Sequence, residues 1–171
     1  GGNTKVDGTD AWDLSNAEIE IRRQVISYFE FLRKNVPGFE NSFIAITAPY
    51  IGVRETRRIM GEYVLTQEDI DKGRKFDDSI HWYAPPDRPN VEYYIPYRCL
   101  VPKKIDNLLV AGRCISTRTM AIRCIQDCMP MGQAAGTAAA LSVRYTLTPR
   151  SLDPSILRKR LIEQGAYVEK M

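Results

Sequence analysis

The sequence predicts an α+β fold: an antiparallel sheet with flanking helices, followed by one more strand and a long helix. Three observations lead there. Apolar residues recur at helical spacing between residues 21 and 36. Short runs rich in β-branched and aromatic residues fall between residues 42 and 96. A run of small residues at 131–145 has the look of a helix. Helical and extended patterns are mixed rather than strictly alternating, which favours α+β.

The elements follow in order. Residues 1–14 are polar, include Gly1, Gly2 and Gly8, and read as a loose segment. A helix is expected from Ser15, because Ser15-Asn16-Ala17-Glu18 matches a capping box and Leu14 can staple against Ile19. Ile21, Val25, Phe29, Leu32 and Val36 make its apolar stripe, and Pro37-Gly38 ends it. Residues 42–48 and 56–64 read as strands. In the second, Arg57, Ile59, Gly61 and Tyr63 share one face and Arg58, Met60, Glu62 and Val64 the other, so each face mixes charge with apolar groups. A face lining a polar cavity would explain that mixture. Thr66-Gln67-Glu68-Asp69 starts a short helix, stapled by Leu65 and Ile70. Residues 79–84 and 91–96 form a strand pair around a turn-rich loop at 85–90. Residues 108–111 read as a short buried strand and 131–145 as the small-residue helix. Asp153-Pro154 opens a last helix that stops at Gly165.

Composition narrows the function. Of 171 residues 44% are hydrophobic, enough for a real core, and the net charge is only +3. Basic residues are scattered among acids, which does not suggest nucleic acid. The weakly polar run at 129–143 is shorter than the roughly 20 residues that span a bilayer, and no signal peptide is visible. Cys99, Cys114, Cys124 and Cys128 match no zinc spacing, and His81 is the single histidine, so no metal site is expected. Reduced thiols in a cytoplasmic protein are the favoured reading. His81 reads as an ordinary polar residue.

The most telling stretch runs from Asn107-Leu108-Leu109-Val110-Ala111-Gly112-Arg113 to Met131-Gly132-Gln133-Ala134-Ala135-Gly136. It reads as a strand, a glycine stop, a loop and a helix start almost bare of side chains. Such a start offers free N–H groups and a partial positive charge to oxyanions or electron-rich rings. Close packing of the helix on a sheet is the plainer alternative.

Residues 51–63 (IGVRETRRIMGEY), 95–102 (IPYRCLVP), 107–116 and 129–140 together resemble the FAD-dependent oxidoreductase family of glutathione-reductase-like flavoproteins, specifically its carboxy-terminal portion. The resemblance implies FAD as cofactor, an antiparallel sheet that covers the flavin ring, and the last strand and helix of the FAD-binding domain. It divides the chain into a flexible segment (1–14), a substrate-covering part (15–100) and a returning flavin-binding part with the terminal helix (101–171). The Gly-x-Gly-x-x-Gly turn that holds the FAD pyrophosphate in such enzymes has no counterpart here. The chain is therefore expected to be a fragment whose partner is an amino-terminal FAD-binding portion. By itself it should bind FAD poorly and be inactive.

The resemblance also assigns residues. Gly112 and Arg113 would lie beside the ribityl chain or a phosphate, which arginine can neutralise bidentately. Met131, Gly132, Gln133, Ala134 and Ala135 would meet the pyrimidine edge, where reduced flavin is anionic. Arg54, Arg57 and Arg123 are the catalytic candidates, with Arg58 beside them. For the cluster at 54–58, pairing with Glu55 or Glu62 is an equal alternative. Tyr97 and Arg98 either shape the pocket or turn the strand. Cys114 is a remote candidate for covalent flavin attachment. One departure is the segment after Ile115-Ser116: many relatives carry a histidine there, whereas this chain has Thr117-Arg118-Thr119-Met120-Ala121.

Three readings follow. The full-length protein is an FAD-dependent oxidoreductase moving a hydride to or from a small organic substrate. Alternatively the chain is a cofactor-free binding or interaction module, or a carbohydrate-processing protein on a flavoprotein-like scaffold. No nucleic-acid or membrane partner is expected, and a homo-oligomer is left open.

Overall fold

The computed structural model describes residues 6–86, 90–119 and 121–170. Gly1, Gly2, residues 87–89 of the turn-rich loop and Met120 lie outside the described residues. The fold is α+β, with four α-helices and a two-stranded antiparallel sheet among the described residues. The chain forms two compact units, Gly1–Thr56 and Arg57–Met171.

The first unit is one long helix and an extended return. Helix α1 (Ala11–Asn35) starts four residues before Ser15, because Asp10 caps it: its carboxylate accepts from the Trp12 and Asp13 N–H groups. Ser15 is inside the helix and donates to the Ala11 carbonyl instead. The helix ends where Pro37-Gly38 predicts, with Gly38 at φ 91°. The expected strand at 42–48 is not a strand. That segment is extended but joins no ladder among the described residues, and Phe43 and Ile46 are exposed. What ties the return to α1 is polar. Arg22 donates to the Ala48 and Pro49 carbonyls, and Glu18 accepts from the Ile51 N–H at 2.8 Å. The apolar stripe of α1 is correspondingly only part-covered, with Ile21 and Val25 exposed.

The second unit holds the core. Leu65, Ile95, Leu100, Ile115, Met131, Leu157 and Leu161 are each 0% exposed. The expected strand at 56–64 is an irregular extended passage that bonds to two different neighbours. Ile59 N–H reaches the Cys114 carbonyl, while Glu62 and Tyr63 reach those of Val101 and Arg98. Only isolated bridges result, Gly61 with Pro102 and Leu65 with Thr117. Gly61 is held so closely that a Cβ there would lie 2.7 Å from Ser116 Cβ.

Helix α2 (Gln67–Asp71) starts where expected, and a capping box holds it: Thr66 accepts from the Asp69 N–H and Asp69 from the Thr66 N–H. Its staple residues Leu65 and Ile70 are buried. Strands β1 (Ser79–Tyr83) and β2 (Tyr93–Pro96) pair antiparallel, with an irregularity between Ser79 and His81. The chain end runs along β1, where Trp82 N–H donates to the Tyr167 carbonyl and Ser79 Oγ to that of Val168. Residues 108–111 are extended and half-buried to exposed rather than a buried strand; one bond, Val110 N–H to the Leu100 carbonyl, fixes them.

The small-residue helix is longer than its sequence suggests. Helix α3 (Ile125–Tyr145) starts six residues before Met131 and contains Pro130. Pro130 is the sixth residue of the helix, so it cannot donate to the Gln126 carbonyl and its ring crowds that carbonyl; buried Asp127 and Met131 on either side of it hold the helix continuous. Thr146 closes α3 in the left-handed conformation at φ 56°. Helix α4 (Pro154–Glu163) packs on α3 and has the expected Asp153 cap and Gly165 stop.

Candidate functional site

The first turn of α3, the β1–β2 pair and α2 enclose a cleft of about 440 Å³. That lies within the roughly 300–1,000 Å³ usual for small-molecule sites. Its walls mix character: Ile70, Val91 and Tyr83 are apolar or aromatic, while Arg123, Gln126 and Asp127 bring charge and hydrogen-bonding groups.

Asp127 is the chemical centre of this cleft. It occupies the first turn of α3, where a carboxylate is favoured by the helix dipole. It is nonetheless 1% exposed. Tyr93, projecting from β2, donates its hydroxyl to Asp127 Oδ1 at 2.6 Å, the short distance of a charge-assisted bond. Burial first, and the carboxylate next, push the Tyr93 hydroxyl far above the usual tyrosine range, so it stays a neutral donor. His81 Nε2 lies 3.7 Å from the same Oδ1, an ion-pair distance if the ring is charged but not a hydrogen bond. Asp127 Oδ2 and His81 Nε2 have no hydrogen-bond partner among the described residues. Tyr83 stacks near His81 at 6.1 Å, meets Tyr93 edge-on, and accepts a bond from Gln126.

None of the cleft's inner residues was picked out as functional by sequence. His81 was read as an ordinary polar residue, and Asp127 and Tyr93 carry no motif that singles them out. The usable signal was alternation: His81 and Tyr83 fall on one face of β1, where Tyr83 also meets Tyr93.

The sequence-derived site residues divide into groups. Arg123 lines the cleft and is half-buried. Arg57, at the start of the second unit, and Arg54, in the first, are exposed and line no part of this cleft. Arg58 is a structural clamp: its guanidinium donates to the Thr117 and Thr119 carbonyls and pins the segment after Ile115-Ser116. Glu62, one of the acids weighed as a partner for the arginines at 54–58, pairs with Arg150. Arg98 grips Asp78 with two bonds of 2.9 and 3.1 Å, and Tyr97 donates to the Pro149 carbonyl, so both brace the β2 end.

Gly112 and Arg113 open a tight 3₁₀ turn, Gly112–Cys114, with Gly112 at φ 82°. The turn lies against α3: a Cβ on Gly112 would sit 3.9 Å from Cys128 Sγ. Burial, then the Asp127 carboxylate, raise the Cys128 thiol, with the Arg113 charge opposing them. Gly132 is one helical turn beyond Cys128 on the same face. Apart from chain neighbours and the backbone of α3 itself, no atom of the described residues would lie within 4 Å of a Cβ added at Gly132 or Gly136.

One expectation needs correction here. Residues 131–135 are not a helix start, so their N–H groups are used within α3, and the free N–H groups lie in the turn beginning at Ile125. Met131 and Ala134 are wholly buried, Ala135 is half-buried, and Gln133 is exposed and donates to Gln164. All four cysteines are free thiols, Cys99 buried and Cys124 exposed. No group of three or more metal-ligating side chains, and no helix long and apolar enough to cross a membrane, occurs among the described residues.

A sequence model of the family described as FAD dependent oxidoreductase matches residues 1–161. No curated protein and no solved structure matches the chain.

Proposed function

We propose, from the premise that this chain belongs to the FAD-dependent oxidoreductase family, that it forms the flavin-ring side and the substrate cleft of an enzyme moving a hydride to or from a small organic molecule. The likeness to glutathione-reductase-type flavoproteins, and an amino-terminal portion holding the pyrophosphate as partner, are parts of this proposal.

The residues present fit a flat cofactor. The observation that carries the reading is the ledge made by the Gly112–Cys114 turn and the open Gly132–Gly136 face of α3, with an arginine at one end. Backbone there is reachable without displacing any side chain. Bound flavin supplies the redox chemistry, taking up or releasing the hydride. Gly112, Gly132 and Ala135 would let it approach, and Arg113 would neutralise phosphate or ribityl oxygen charge. Gln133 would border the ledge, while Met131 and Ala134 hold the helix in the core. Arg123 is the catalytic candidate with a cleft around it; Arg57 and Arg54 are candidates only for a pocket completed by other parts of the protein.

The test is the visible absorption spectrum of the longest expressible form of the protein. A flavin spectrum, with FAD released on heating, is expected; a colourless protein that takes up no added FAD overturns the proposal and favours a cofactor-free binding module. Gly132→Val sharpens it. The chain itself leaves room for the side chain, so lowered flavin content would report the ligand, and unchanged content would remove this contact.

A further inference from the structure

We infer that residues 42–48 pair as an antiparallel strand with the same residues of a second copy of this chain, each copy's Phe43 seating in the other's groove between α1 and the extended return. The inference stands apart from the flavin reading and does not rest on it.

The segment has the form of an unpaired edge. It is extended, and the backbone N–H and C=O groups of residues 43–47 make no hydrogen bond among the described residues. Two arginines of α1 hold its ends: Arg33 donates to the Glu40 carbonyl, and Arg22 to those of Ala48 and Pro49. Folded proteins blunt such edges with lysine, proline or an inward-pointing charge. Here residues 41–53 carry no charge, and the one proline among them, Pro49, lies beyond the free groups. Phe43 is 79% and Ile46 88% exposed. Aromatic and β-branched side chains on free backbone are what strand addition uses.

Three observations select a second copy as the occupant. The first is register. A two-fold axis through Ala45 sets Phe43 opposite Thr47 and Ile44 opposite Ile46, each pair occurring twice, and it engages the free groups of residues 43–47. The second is shape. Helix α1 and the return enclose a groove of about 370 Å³, lined by Ile21, Val25, Ile26, Thr47 and Tyr50. The side chain opposite Thr47 in that register is the second copy's Phe43, so an apolar ring meets an apolar groove, and symmetry repeats the contact. Phe43, Ile46 and the apolar groove residues expose on the order of 700 Å² of side chain, close to the roughly 800 Å² that each partner of a standard interface buries. The third is charge. The same register places Glu40 of one copy opposite Tyr50 of the other, beside the carbonyls that Arg22 holds. An acid thus meets a cation at both ends, and no like charges face each other along the strand.

The experiment is sedimentation velocity on the 171-residue chain, with hydrogen exchange read by mass spectrometry at both ends of a range from about 2 to about 200 μM. A monomer is expected at the low end and a dimer at the high end, with the amides of residues 43–47 exchanging about tenfold or more slowly in the dimer. Ala45→Pro removes an N–H at the centre of the pairing and should weaken the dimer about tenfold or more. Phe43→Ser empties the groove and should weaken it by a similar factor, about tenfold. Both positions are exposed and outside the core, so both variants keep the fold. A monomer throughout, a dimer whose 43–47 amides exchange as fast as the monomer's, undiminished association of either variant, or growth past the dimer into open-ended assemblies would overturn the inference.

Discussion

Replacing Tyr93 by phenylalanine isolates one interaction in the core of the cleft. The ring keeps its place between Tyr83 and the buried cluster, so packing changes little. What is lost is the 2.6 Å bond to Asp127 Oδ1. The carboxylate stays 1% exposed and is left without a hydrogen bond among the described residues, with His81 still 3.7 Å away. Hydrogen bonds to charged groups contribute about 1.5–3 kcal/mol, so Tyr93→Phe should cost about 2 kcal/mol. For a chain of this size that is a fall in Tm of about 4–8 °C. Urea unfolding of the parent, Tyr93→Phe, Asp127→Asn and the double variant measures the coupling directly, expected to be about 1 kcal/mol or more. A Tyr93→Phe protein within about 0.5 kcal/mol of the parent would refute the buried charge-assisted bond.

Other outcomes follow from single positions. Gly61→Ala should lose about 1–3 kcal/mol in urea unfolding, because the new methyl meets Ser116 Cβ at 2.7 Å and the Arg98 carbonyl at 3.0 Å. Thr146→Gly should gain about 0.5–1 kcal/mol in the same assay, since a β-branched residue sits at φ 56° at the end of α3. Iodoacetamide at pH 8, followed by mass spectrometry, should label exposed Cys124 and spare Cys99, whose thiol burial pushes up to about 12. That raised value also sets a pH trend: Cys99 contributes stability in full below about 9 and loses it as pH rises toward about 12, because the unfolded thiol ionises first. Equal labelling of the two cysteines would contradict the burial of Cys99.

Sequence was most legible where one short-range rule decided the structure. The helix start at Thr66 with its Leu65–Ile70 staple, the Asp153-Pro154 start and the Pro37-Gly38 stop all act within a few residues, and all three stand. It was less legible where two local solutions competed. Asp10 and Ser15 can each cap α1, and the earlier one holds the helix. Pro130 can open a helix or be tolerated in one, and buried Asp127 and Met131 on either side of it keep α3 continuous. It failed where structure depends on distant pairing. Residues 42–48 have strand-forming side chains but no ladder partner among the described residues, and residues 56–64 divide their bonds between two neighbours. The cleft belongs to the same class. His81, Tyr93 and Asp127 are far apart in sequence and meet only because β1 pairs with β2 beneath α3.

The extended passage through residues 51–58 has a practical consequence. Arg54 and Arg57 are both exposed there, on backbone outside any helix or strand, and the boundary between the two compact units falls between them. Trypsin needs an accessible, unladdered stretch of about this length to seat a peptide. Brief digestion should therefore nick the chain first at these two arginines, leaving a resistant carboxy-terminal piece that begins near Arg58.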